Sequence, residues 1–146
     1  MMKIIALTTL LTFAPMTYAK DSGIGLRLAH MATEYSNMGV CAVDVRYVLD
    51  SNSDEIENLA LVLSIKNTKG KVVHKEDFLI DDMNSASGKY WGSIFLEGEN
   101  LCDTNGWTLE VSQANLNFDG GRVENLIKLN RVYIKDFKPM PIKIRK

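Results

Sequence analysis

The sequence of 146 residues contains few of the residues that build metal sites, disulfide scaffolds or catalytic centres: two cysteines, two histidines and three prolines. It has no C-x-x-C pair and no H-E-x-x-H motif that would bind zinc. It also lacks the G-x-S-x-G motif of a hydrolase and a phosphate-binding glycine loop around Gly120-Gly121. His30 and His74 are each isolated from other catalytic residue types. We therefore expect no catalytic residue, no metal and no cofactor, and we expect that the protein is not an enzyme.

Neither sign of charge is in clear excess. The chain has 17 basic and 18 acidic residues and a formal net charge of −1. A nucleic-acid partner requires a concentrated basic surface, so we expect none. Acidic residues gather in the loops that contain Asp50, Asp54 and Glu55, and Asp81-Asp82, but neither loop has the glycine and the terminal glutamate of a calcium loop. Solvated loop acids are the simpler interpretation.

Apolar stretches long enough to cross a membrane are absent. The longest run, residues 4–14, is about half of the roughly 20 residues that a bilayer requires. It follows a lysine and precedes Pro15 and the small residues around Ala19, which is the order of a cleaved secretory signal peptide. A buried N-terminal helix is the alternative. We predict a signal peptide at 1–19 and a single exported domain at 20–146, periplasmic or extracellular, that is not anchored to a membrane.

Cys41 and Cys102 are the two cysteines, and they are 102 − 41 = 61 residues apart. In an oxidising compartment, one intramolecular disulfide is the simplest arrangement. Two free thiols or an intermolecular bridge are the alternatives. A loop of this size would stabilise the fold by about 4 kcal/mol in the chain-entropy model.

The clearest structural signal is a β-hairpin between Leu59 and Ile80. Leu59, Leu61, Leu63 and Ile65 alternate with less apolar residues, as in a strand with one buried face. Residues 67–70 have the asparagine and the glycine of a type I turn. The returning strand, residues 71–80, carries charge on both faces, which is typical of an edge strand.

Five further segments show strand-like alternation, and most are separated by turn signals. The period is lost over residues 29–37, where residues 28–32 could form a helical turn. About seven strands without a long amphipathic helix predict an all-β protein. We expect an immunoglobulin-like or fibronectin-III-like antiparallel β-sandwich, with a small closed barrel as the alternative. The five further segments are residues 24–28, 41–49, 90–96, 107–118 and 126–137.

Four aromatic residues are the best candidates for an interface, because aromatic side chains supply much of the binding energy at hot spots. They are Tyr90, Trp91, Phe95 and Trp107. In a sandwich of this size, at least two of them should belong to the core. Trp91 and Phe95 lie on the same face of a strand that is apolar on both faces, and we predict that this face points outward. These two residues are therefore the weak candidates for partner binding.

Three runs of sequence, together with the apparent signal peptide and the strand order, resemble the bacterial interleukin receptor mimics, small secreted proteins of pathogenic enterobacteria. The runs are residues 40–47 (VCAVDVRY), 59–70 and 107–117. The resemblance implies a fibronectin-III-like domain, a homodimer formed by strand exchange, and binding of host cytokines, the interleukins. The chain lacks the Trp-Ser-x-Trp-Ser box of animal class I cytokine receptors, so no ligand contacts are carried over from those receptors.

Two functions follow as hypotheses. The first is a secreted binding module that engages host interleukins as a strand-exchanged dimer. The second is a periplasmic β-protein, such as an inhibitor of lysozyme-type enzymes or a fimbrial accessory protein.

Overall fold

The structure, a computed structural model, describes residues 21–35, 38–135 and 140–146. The predicted signal peptide, residues 1–19, lies outside the described residues. No helix in the described part of the chain has the length and hydropathy of a membrane span. The strands are β1 (Leu26–Tyr35), β2 (Cys41–Leu49), β3 (Ile56–Lys66), β4 (Val72–Ile80), β5 (Asn84–Ala86), β6 (Lys89–Gly98), β7 (Thr108–Phe118), β8 (Val123–Asn125), β9 (Val132–Ile134) and β10 (Ile142–Ile144), with short 3-10 turns at Glu99–Leu101 and Asp119–Gly121.

The strands form two sheets that enclose the core. The first sheet has the order β5-β6-β2-β1-β9, and the second has the order β10-β7-β3-β4, with β8 paired to β7. All pairs are antiparallel except β1 with β9 and β7 with β10. The predicted all-β sandwich is confirmed, and each of the seven predicted strands has a counterpart. The additional strands β5, β8 and β10 are three residues long, too short to show alternation in the sequence.

The predicted hairpin lies in the second sheet, where β3 is hydrogen-bonded to both β4 and β7. Its four alternating aliphatic residues, Leu59 to Ile65, are buried with at most 1% of their surface exposed. Full burial of one such side chain contributes about 1.5–3 kcal/mol. In the turn, the amide of Gly70 donates to the carbonyl of Asn67 over 2.9 Å, and Gly70 adopts a positive φ of 76°.

The first sheet faces the hairpin with the inward side chains of β1, β2 and β6. Leu26, Leu28, Val43 and Val45 are completely buried and belong to the same apolar core as the hairpin residues. β4 pairs only with β3 within the described residues, so the prediction of an edge strand is confirmed.

β1 differs from its prediction, because it continues as a strand to Tyr35 instead of ending near residue 28. His30 pairs with Val45 and Ala32 pairs with Asp44, so Met31 is an extra residue in a β-bulge. A bulge shifts the alternation by one residue, which explains why the period is lost there. The helical turn that the sequence allowed at residues 28–32 is wrong.

Cys41 and Cys102 form the predicted disulfide, with 5.0 Å between their Cα atoms. Cys41 begins β2 and pairs with Gly98 at the end of β6. The 3-10 turn that follows β6 brings Cys102 back over this end of the first sheet. Free thiols and an intermolecular bridge are therefore wrong as alternatives, and the bond links the end of β6 to the strand beside it.

Candidate interaction surface

The two aromatic residues predicted to point outward lie on β6. Gly92, Ile94 and Leu96 are buried, whereas Trp91 and Phe95 between them are 43% and 45% exposed. Their outward direction is confirmed, and their role in partner binding stays a prediction. The other two candidates, Tyr90 and Trp107, are partly buried against the core, which agrees with the expectation that at least two of the four aromatic residues belong to it.

The register of the first sheet places other large side chains beside Trp91. Trp91 pairs with Val48 on β2, Val48 pairs with Arg27 on β1, and Arg27 pairs with Tyr133 on β9. Paired residues point to the same side of a sheet. One row across four strands therefore combines two aromatic rings, an aliphatic side chain and a guanidinium group on the outward side.

A groove of about 540 Å³ opens beside this row, over β1 and β2. Three cationic residues line the groove: Arg27, Arg46 and Lys135. Apolar residues, including Met31, line it too. In the part of the chain that the structure describes, no acidic residue lines it. Lys135 is held in place by its backbone amide, which donates to the carbonyl of Leu28 over 3.0 Å. We call the exposed residues of the groove and of the outward row, together with Phe95 beside them on β6, the basic-aromatic face. It comprises Arg27, Met31, Arg46, Val48, Trp91, Phe95, Tyr133 and Lys135.

The cations of this face have no partner in the described residues, since no hydrogen bond or ion pair involves the side chain of Arg27, Arg46 or Lys135. Some other cations are paired, since Lys66 Nζ lies 2.6 Å from Glu110 Oε2 and Arg131 contacts the carboxylate of Asp21. What sets this face apart is that three cations, unpaired in the described residues, line one groove. The basic-aromatic face is therefore a concentration of uncompensated positive charge on a chain whose net charge is −1.

Acidic residues of β2 and β6 lie on the same side of the sheet but outside the groove. Asp44 is opposite Phe95, and Glu97 is opposite Ala42. Their side chains reduce the positive charge toward the disulfide end of the sheet. The cations that line the groove lie on β1, in the middle of β2 and directly after β9.

The outer side of the second sheet has a different character. Amide side chains lie along β3 and β7, where Asn117 donates to Asn58, and Lys66 is paired with Glu110. Its exposed apolar side chains are aliphatic: Leu79 is 64% exposed on the edge strand β4, and Val72 and Val123 are 45% and 56% exposed. Substitutions on the outer surface of the second sheet can therefore serve as controls for substitutions on the basic-aromatic face.

The buried His30 lies beside this face. Its Nδ1 lies 3.1 Å from the amide nitrogen and 3.3 Å from the carbonyl oxygen of Met140. Burial lowers the pKa of His30 below its ordinary value, and it outweighs the opposing effects of the Met140 and Ala32 backbone groups and of the Asp44 charge. The ring is thus a neutral link between β1 and the segment that leads into β10.

The predicted loop acids have ordinary surroundings. Asp50 accepts a hydrogen bond from the Gly25 amide over 2.7 Å and so joins the end of β2 to the residue before β1. The described residues contain no group of three or more histidines, cysteines, aspartates or glutamates placed to hold a metal ion.

Sequence reasoning did not identify the cationic half of the face. Arg27 and Arg46 alternate with buried residues of their strands, and this alternation could have predicted that both side chains point outward. Their convergence with Lys135 depends on the pairing of β1 with both β2 and β9, which the sequence pattern does not reveal.

Comparison with known proteins agrees with this architecture. Residues 26–132 match the profile of a family described as IrmA, interleukin receptor mimic protein A. The structure is similar to a solved structure of IrmA from Escherichia coli, with a TM-score of 0.57 and 19% sequence identity over 82% of this chain and 98% of that one. No curated protein matches. The match covers well over half of the sequence, and the chain therefore belongs to the interleukin receptor mimic protein A family.

Proposed function

We propose that this protein is an exported, non-enzymatic binding protein that engages host interleukins by imitating part of an interleukin receptor. The family match over residues 26–132 is the observation that carries the proposal. The mature protein would begin at Lys20 after removal of the signal peptide and would form a single domain. Intact mass spectrometry of the protein that an expressing bacterium exports tests this start point.

The chemistry of the surface supports a binding role. Binding energy at protein interfaces is concentrated in a few residues, and tryptophan, tyrosine and arginine are enriched among them. Trp91, Tyr133, Arg27 and Arg46 supply these residue types on one side of one sheet. They lie on regular strands, which hold their side chains in place before a partner arrives and so reduce the entropy lost on binding.

A homodimer formed by strand exchange is part of the proposal. β10 is three residues long and pairs with β7 alone in the described part of the chain. The same pairing would form if β10 came from a second copy, because an exchanged element keeps its native contacts. Light scattering coupled to size-exclusion chromatography should give the mass of two chains, and a monomer mass at every concentration would contradict this part of the proposal.

The decisive experiment for the function is a label-free binding assay of the purified protein against a panel of interleukins, with lysozyme on the same plate. Saturable binding of an interleukin without binding of lysozyme supports the proposal. Binding of lysozyme alone, with the protein found only in the periplasm after cell fractionation, would instead favour a periplasmic enzyme inhibitor.

A further inference from the structure

We propose that the basic-aromatic face is the docking surface for its protein partner, and that the partner presents a segment of acidic and aliphatic side chains. The carboxylates of that segment would enter the groove between Arg27, Arg46 and Lys135. The aliphatic side chains would cover Trp91 and the apolar residues beside it. The identity of the partner as an interleukin rests on the proposed function, whereas the location of the surface and the chemistry of the segment do not.

Charge is the first argument. In a protein of net charge −1, three cations line one groove, and none of them has an ion pair in the described residues. Arginine binds a carboxylate through two parallel hydrogen bonds, which gives both energy and geometric specificity. A partner with carboxylates at this position supplies the countercharges that the chain itself does not.

Apolar exposure is the second argument, and it selects the class of partner. Met31, Trp91, Phe95 and Tyr133 are each 43–51% exposed and all lie on this face. A sulfated sugar or a phosphate would pair with the cations but would leave these side chains in water. A protein segment that mixes carboxylates with aliphatic residues satisfies both parts of the surface, and the burial of each aromatic side chain adds to affinity.

The matched outer surface of the second sheet provides the controls. Lys75 and Leu79 are exposed on β4, so Lys75→Glu and Leu79→Ala change charge and apolar area without touching the basic-aromatic face. The test variants are Arg46→Glu and Trp91→Ala. Arg27→Glu is a second charge reversal in case Arg46→Glu fails to fold, and circular dichroism checks every variant.

The first part of the test uses an interleukin that binds the wild-type protein. We expect Arg46→Glu and Trp91→Ala each to weaken binding by at least about tenfold, and we expect both control variants to bind like the wild type. Wild-type affinity should also fall as salt is raised from about 0.05 M to about 0.5 M, since part of the attraction is between charges. Unchanged binding by the test variants would overturn this inference and leave the proposed function intact.

The second part tests the docking surface when no interleukin binds. That result would refute the proposed function but not the location of the surface. The probe is a short synthetic peptide of alternating glutamate and leucine, with a glutamine-leucine peptide as its control. A salt-sensitive change in tryptophan fluorescence on addition of the glutamate peptide, lost in Arg46→Glu and in Trp91→Phe, supports the inference, because Trp107 is then the remaining fluorophore. An equal change with both peptides, or with neither, overturns it.

Two other occupants would also overturn the assignment. If Arg46→Glu and Trp91→Ala disrupt the homodimer but leave partner binding unchanged, the face is covered by a second copy of the chain. If Arg46→Glu abolishes retention on heparin and leaves protein and peptide binding unchanged, the groove binds a sulfated glycan.

Discussion

Loss of the Cys41–Cys102 disulfide should lower the free energy of unfolding by about 4 kcal/mol. The bond closes a loop with a sequence separation of 61 residues. In the chain-entropy model, removal of such a constraint returns about 14 cal/mol/K to the unfolded chain, which is about 4 kcal/mol at 25 °C. For a chain of this length, each kilocalorie shifts the melting temperature by roughly 4 °C, so the reduced protein should melt about 15 °C lower.

The assay is urea unfolding of one preparation in its oxidised form and after reduction and alkylation. A Cys41→Ala/Cys102→Ala variant provides a control without thiol chemistry. Alanine is preferable to serine because Cys41 is 1% exposed and a serine hydroxyl would be buried there. A loss below about 1 kcal/mol in both experiments would refute the reasoning, since the bond would then constrain the unfolded chain very little.

Two further predictions concern the interior. Gly92→Ala should cost about 1–3 kcal/mol in urea unfolding, because a Cβ atom there would lie 2.5 Å from the hydroxyl of the buried Tyr47; a cost below about 0.5 kcal/mol would contradict this packing. Because burial holds the pKa of His30 below its unfolded value of 6.5, the contribution of His30 to stability should be constant above about pH 6.5 and should fall below it, by up to about 1.4 kcal/mol per pH unit. Denaturant titrations at several pH values should show this slope in the wild type and lose it in His30→Asn, and an identical slope in both would refute the role of His30.

The parts of the fold that the sequence predicted are those with a local signature. The alternation from Leu59 to Ile65 predicts a strand with one buried face, because successive side chains point to opposite sides. The same rule predicts that Trp91 and Phe95 point outward, and their exposure agrees. The disulfide follows from the presence of two cysteines in a chain with an apparent signal peptide, without knowledge of the fold.

The parts that the sequence did not predict depend on pairing between distant segments. The bulge at Met31 interrupts the alternation that would have extended β1, so a local pattern indicates the end of a strand that in fact continues. β10 is three residues long, too short for a periodic signal. The strand at β9 was predicted, but its parallel pairing with β1 joins segments that are far apart in the sequence. The groove combines residues of β1 and β2 with Lys135, and only the order of strands in the sheet shows that they meet.

The central claim, that this protein binds an interleukin through the basic-aromatic face, has a direct test in its two tryptophans. Trp91 lies on the face, whereas Trp107 is partly buried against the core, so their indole N–H signals report on two different places in one spectrum. When an interleukin is added to the ¹⁵N-labelled protein, the account predicts that the Trp91 signal shifts or broadens and the Trp107 signal stays in place. An unchanged Trp91 signal in the presence of saturating interleukin would contradict it.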